Sequence, residues 1–128
     1  MKSYLELIKI IFDELNFYKK DFGVHFHSSP ENSYSKIEVA YKSGCKRFDS
    51  TISGIGGCPF AKDELVGNIS TQTLLNFIQK NNIKHKINEY SINEFTKAVQ
   101  NCIDNGLTNK KLSFSSAILA YFMYRFKN

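Results

Sequence analysis

The sequence predicts an α/β fold with parallel strands and helical crossovers, forming one section of a larger structure. Three observations predict it. Helical and strand-like patterns alternate from the N-terminus through the helix that carries Leu74 to Ile78. Only two segments read as strands, and two parallel strands leave faces and edges uncovered. The chain has 128 residues, the length of one ordinary domain.

Leu5, Ile8, Ile11, Phe12 and Leu15 recur at three- and four-residue intervals, which predicts an amphipathic helix over roughly the first 18 residues. After Lys19-Lys20-Asp21, the run Phe22 to Phe26 predicts a short buried strand. Ser28-Ser29-Pro30-Glu31 is a helix start, with a hydroxyl cap, proline in the first turn and an acid beside it. Tyr34, Ile37, Ala40 and Tyr41 form that helix's apolar face, and Gly44 stops it. Arg47 to Ser53 predicts a second strand, and Gly54 to Asn68 a long glycine-rich loop. Ser70 or Thr71 caps the next helix, whose core face is Leu74, Leu75, Phe77 and Ile78, and Asn81-Asn82 ends it. A further helix is expected over Ile92 to Ile103, then a turn at Asp104-Asn105-Gly106. The aromatic segment Ser113 to Phe126 reads as a C-terminal helix, either buried or facing a partner or a membrane surface.

Composition excludes several classes. The apolar fraction of 42% is ordinary for a globular chain. No apolar stretch reaches the ~20 residues of a membrane span, and the N-terminal pattern holds Glu6, Asp13 and Glu14, unlike a signal peptide. Three cysteines, Cys45, Cys58 and Cys102, are an odd and scattered set, which points away from a disulfide scaffold and toward a cytoplasmic setting. The net charge of +5 is compatible with an acidic partner or with a solvated lysine surface. The lysines fall in isolated pairs with no aromatic RNA-binding pattern, so a nucleic-acid partner is not expected.

Two features carry chemistry. His25 and His27 are i and i+2 on the first strand, so both imidazoles share one face and form a divalent-metal pincer. Cys58 sits in Gly54-Ile55-Gly56-Gly57-Cys58-Pro59, a segment without apolar periodicity, where glycine can present a thiol on a loop. It reads either as a general acid or base, or as a small buried residue. Asn68, at the end of the same loop, is a turn residue or an amide-oxygen ligand suited to a hard cation. Asp49 can hold a histidine or pair with Arg47, and Cys45 and Cys102 read as structural.

Together the stretches Phe22-Gly23-Val24-His25-Phe26-His27, Ala40 through Ser50, Gly54 through Lys62 and Gly67 through Thr71 resemble the 3-hydroxy-3-methylglutaryl-CoA lyases, metal-dependent TIM barrels of the pyruvate-carboxyltransferase-like group. Related isopropylmalate and homocitrate synthases share the His-x-His strand but lack the cysteine. The resemblance covers about residues 4 to 80 clearly and reaches residue 103 more weakly. It implies a partial (β/α)8 barrel over residues 1–103, with the last two β/α units, and a separate tail over 104–128. It implies that His25, His27 and Asn68 ligate Mg²⁺ or Mn²⁺, that Cys58 is catalytic, and that an acyl-CoA is cleaved to acetyl-CoA and acetoacetate. The family's arginine, metal-ligating aspartate and catalytic glutamate lie on strands with no match here. The chain alone is therefore expected to be inactive, requiring the missing barrel strands from a partner or a homo-oligomer. The alternatives are a non-enzymatic interaction module derived from the same barrel, or a fragment of a related metal-dependent aldolase or acyltransferase.

Overall fold

The structure is a computed structural model and describes residues 3–14, 22–56, 66–105 and 121–125, the last segment by its backbone. The order is α1 (Tyr4–Glu14), β1 (His27–Ser28), α2 (Pro30–Lys42), β2 (Arg47–Thr51), a 3-10 turn (Ile52–Gly54), β3 (Gly67–Asn68), α3 (Thr71–Lys80), α4 (Glu89–Asp104) and β4 (Tyr121–Arg125). Among the described residues the architecture is α/β, as expected.

The helix ends are made locally, and most follow the sequence signals. α2 starts at Ser29 with Pro30 in its first turn, but the Ser29 hydroxyl accepts from Asn32 Nδ2 (3.0 Å) and caps no backbone N–H. Its C-terminus is a paired closure: Gly44 N donates to Tyr41 O and Cys45 N to Ala40 O, with Gly44 at φ 102°. α3 repeats this closure with Asn82 at φ 52°, where Asn82 N donates to Gln79 O and Ile83 N to Ile78 O. Asparagine tolerates that conformation better than most residues. The α3 N-cap is Ser70, whose hydroxyl accepts from Thr73 N at 3.0 Å. α4 starts three positions earlier than its apolar pattern suggests, because Asn88 Oδ1 accepts from Ser91 N.

The core collects one face from each element. Ile8 and Phe12 of α1, Ile37 and Ala40 of α2, Phe48 of β2, and Leu74, Phe77 and Ile78 of α3 are buried together with Cys45 and Ile69. Tyr34 and Tyr41 meet Phe77 edge-on, with centroids at 5.6 and 5.3 Å. A smaller cluster of Ile52, Leu75 and Ile92 seats α4. Burial pushes the Cys45 thiol up to about 11, and its Sγ donates to Arg47 O, so it is a structural cysteine.

Strand pairing departs from expectation. The run Phe22 to Phe26 makes one parallel bridge, Val24 to Phe48, and no ladder of its own. After Val24 the chain leaves β2: Phe26 O accepts from Ile69 N, and His27–Ser28 pair antiparallel with Gly67–Asn68. The returning end of the loop thus competes with β2 for this segment. A second parallel bridge joins Thr51 to Ser70. Among the described residues, parallel pairing is confined to these bridges, and both ladders are antiparallel. The expected helix over Ser113 to Phe126 is corrected at its end, where Tyr121–Arg125 forms β4 against β2. Aromatic segments pair readily on an available strand edge, and β2 offers one. No helix among the described residues is long and apolar enough to cross a membrane.

Candidate metal centre

The extended backbone through Val24 sends His25 and His27 to one face. Their Nε2 atoms stand 3.2 Å apart, with the rings edge-on at 71°. Two nitrogens that each lie ~2.1 Å from a shared cation are ~3.0–3.4 Å from one another at octahedral or tetrahedral angles, so the spacing fits a common ion. His25 Nδ1 faces Asp49 Oδ2 at 3.8 Å. That is too long for a hydrogen bond, and it places Asp49, expected to hold a histidine or pair with Arg47, beside His25.

His27 is fixed from behind. Lys36 Nζ donates to His27 O at 2.8 Å, while its ammonium lies 4.4 Å from the centre of the Tyr4 ring. Burial chiefly, and then the charges of His25 and Lys36, lower the His27 pKa, so the ring is neutral at neutral pH, the state a ligand needs. Burial also lowers the pKa of Lys36. Nothing in the spacing of Lys36 from His27 marks it in the sequence, because the contact depends on α2 folding back over β1.

Asn68 arrives from the far end of the loop. It lies opposite His27 in the β1–β3 register, which puts the two side chains on one face. Its Nδ2 donates to Ile55 O at 2.8 Å, and Thr51 Oγ1 donates to the same carbonyl at 2.9 Å. These bonds orient the amide. Two glycines let the loop stems approach: a Cβ on Gly54 would meet Asn68 O at 2.9 Å, and one on Gly67 would meet Gly54 O at 2.8 Å. Asn68 Oδ1 and His27 Nδ1 are buried without hydrogen-bond partners. A buried unpaired acceptor costs ~1–3 kcal/mol, so an oxygen left in that state on the residue opposite His27 suits a cation that would bind it. The donors available are two imidazoles and one amide oxygen. Among the described residues no group of three or more His, Cys, Asp and Glu is arranged to hold a metal.

The structure therefore sets His25 and His27 against one another and Asn68 opposite His27 in the strand register. Cys58 lies outside the described residues, as does most of its loop. The Ile55 carbonyl, which holds Asn68, and Thr51, whose hydroxyl donates to that carbonyl, escape the sequence reading because the contacts exist only once the loop stems have met.

An α/β arrangement with a His-x-His pair at a strand end and an asparagine opposite it defines the candidate site. A profile of the HMGL-like family matches residues 1–99, and the chain belongs to that family. It is 30% identical over 94 residues to the cytoplasmic 3-hydroxy-3-methylglutaryl-CoA lyase of Homo sapiens, covering 73% of this chain and 25% of the relative. It is 38% identical over 52 residues to the (R)-citramalyl-CoA lyase of Chloroflexus aurantiacus, covering 41% of this chain and 16% of that one. In structure it is similar to an HMG-CoA lyase from Acinetobacter baumannii solved with coenzyme A and 3-methylmalate. The TM-score is 0.66 at 27% identity, over 76% of this chain and 32% of that one. The chain thus spans about a quarter of the length of its human relative.

Proposed function

We propose that the chain is the metal-holding end of a hydroxymethylglutaryl-CoA lyase-type (β/α)8 barrel, with the Val24–Ser28 segment and β2 in the places of the last two barrel strands. The observation that carries this reading is the meeting of His25 and His27 Nε2 at 3.2 Å, with Asn68, whose oxygen is unpaired, opposite His27 in the strand register. In this reading His25, His27 and Asn68 hold Mg²⁺ or Mn²⁺. The ion, when bound, supplies Lewis-acid polarisation of substrate oxygens. Asp49 steadies His25, Lys36 anchors the His27 backbone, and Ile55 O and Thr51 fix the Asn68 amide. Cys58 is the proton donor to the acetyl-CoA carbanion released when the carbon–carbon bond breaks.

The substrate class is a 3-hydroxyacyl-CoA, supported by the acyl-CoA lyases among the relatives and the coenzyme A bound in the structural neighbour. Turnover requires further barrel strands, and α1 offers a surface for them. Leu7 (47% exposed) and Ile11 (53%) form an apolar stripe with Tyr4 on its outer side. The setting proposed is cytoplasmic.

Titration of the chain with Mn²⁺ tests the site. Weak binding that disappears in His27→Ala and Asn68→Ala is expected, and binding unchanged in both variants would overturn the ligand set. Turnover of 3-hydroxy-3-methylglutaryl-CoA with Mg²⁺ tests the chemistry. None is expected from the chain alone. Turnover that vanishes in Cys58→Ala would show that these residues assemble a working site without other strands.

A further inference from the structure

The two edges of β2 are filled in different ways. On one, Val24 N donates to Arg47 O (3.0 Å), Asp49 N to Val24 O (3.0 Å) and Thr51 N to Ile69 O (2.9 Å). These neighbours run parallel to β2 at the Val24–Phe48 and Thr51–Ser70 bridges. Backbone groups point alternately to the two edges of a strand, so the N–H groups of Phe48 and Ser50 face the other way. There β4 lies antiparallel through five pairs, with Phe48 opposite Tyr124, Asp49 opposite Met123 and Ser50 opposite Phe122. A barrel of parallel strands closes only when its last strand receives a parallel neighbour on each edge. β2 has parallel contacts on one edge and an antiparallel segment of its own chain on the other.

We propose that Tyr121–Arg125 is a strand cap acting in cis on the β2 edge through which a lyase-type barrel would close. An open edge of this length is a template for pairing with another chain, and β4 occupies it. Docking of β4 and closure of a barrel exclude each other, so a polypeptide that supplies further strands has to displace the cap. The exclusion rests on the barrel reading given above, whereas the pairing does not.

Amide exchange on the 128-residue chain tests the cap. The Phe48 and Ser50 amides exchange slowly in the unaltered chain. They also do so in Met123→Pro, because the Met123 N–H points away from β2. In the double variant Phe122→Pro/Tyr124→Pro, which removes the N–H groups facing β2, their protection falls at least about tenfold. The Asp49 and Thr51 amides, bonded on the opposite edge, keep theirs. The unaltered chain sediments as a monomer, and the double variant self-associates. An unprotected Phe48 and Ser50 in the unaltered chain overturns the proposal, as does a double variant that stays monomeric. A dimeric unaltered chain with both amides protected overturns the cis arrangement, because a second copy then supplies the strand. Should the double variant lose all protection, the unaltered chain still decides. Asp49 and Met123 face each other as a non-hydrogen-bonded pair, so a cross-peak between their Hα protons supports the cap and its absence rejects it. Metal titration of the same samples reads the barrel proposal separately.

Discussion

The α2–β2–α3 core and the β1–β3 site stems lie side by side and are built on opposite terms. In the core, helix termini are closed by backbone pairs, and Ser50 Oγ and Thr71 Oγ1 satisfy one another at 3.1 Å in full burial. In the stems, His27 Nδ1, Ser28 Oγ and Asn68 Oδ1 are buried without partners. Buried polar groups left unsatisfied lower stability, and proteins concentrate them where something else binds. The difference separates residues that hold the fold from residues kept available for a ligand.

Substitutions can break this division in either direction. The largest expected effect is Phe77→Ala. Phe77 is 1% exposed and meets two tyrosine rings, so its loss costs ~3–5 kcal/mol. Urea unfolding measures it, and at a urea concentration that keeps the variant folded, Mn²⁺ affinity should be unchanged. Gly67→Ala comes next, because its new methyl must push against the Gly54 carbonyl at 2.8 Å. A loss of ~1–3 kcal/mol is expected, here with a loss of metal affinity, because the clash moves Asn68. Ser70→Ala removes the α3 cap for about 1 kcal/mol by the same assay and leaves the site's ligands in place.

Asn68→Ala sharpens the contrast. It deletes an unpaired oxygen together with one hydrogen bond, and Ile55 O keeps its bond from Thr51. Stability should change by less than ~1 kcal/mol, while Mn²⁺ affinity falls at least about tenfold. The smallest effect is on pH dependence. The His27 pKa is lowered in the fold, so the unfolded chain binds the proton more readily. Its contribution to stability is complete above the ordinary imidazole value and is lost as pH falls through the lowered one. A His27→Gln variant should flatten that part of the stability profile. Cys45 gives a control at the other extreme: with its thiol raised to about 11 it should alkylate far more slowly at pH 8 than exposed Cys102, as read by mass spectrometry of the labelled sites.

What was legible in the sequence follows the range of the forces involved. Ser70 as a cap, Gly44 as a stop and the Leu74, Leu75, Phe77 and Ile78 face are set within one or two helical turns, and all are found as read. The pairing of His25 with His27 was legible because strand alternation is local. Strand partners were not. Whether Phe26 to Ser28 joins β2 or the returning loop depends on Ile69 and Asn68, far along the chain. The C-terminal segment was misread for the same reason, since an edge on β2 outweighed its helical spacing at residues 121–125. Lys36 and Thr51 gave no signal because each acts through a single side-chain bond to a backbone carbonyl, His27 O and Ile55 O, that no sequence pattern marks.

The His27–Asn68 register also has a kinetic meaning. Pairing those two residues requires α2 and β2 to be in place and the intervening loop to be drawn shut, which carries a closure entropy that the helices do not incur. The stems are therefore expected to form late in folding and to open early in native fluctuations, and a bound ion would slow that opening by linking the two ends. Exchange of the Asn68 amide, which donates to Gly56 O, becomes a clock for metal residence that needs no catalytic turnover to read.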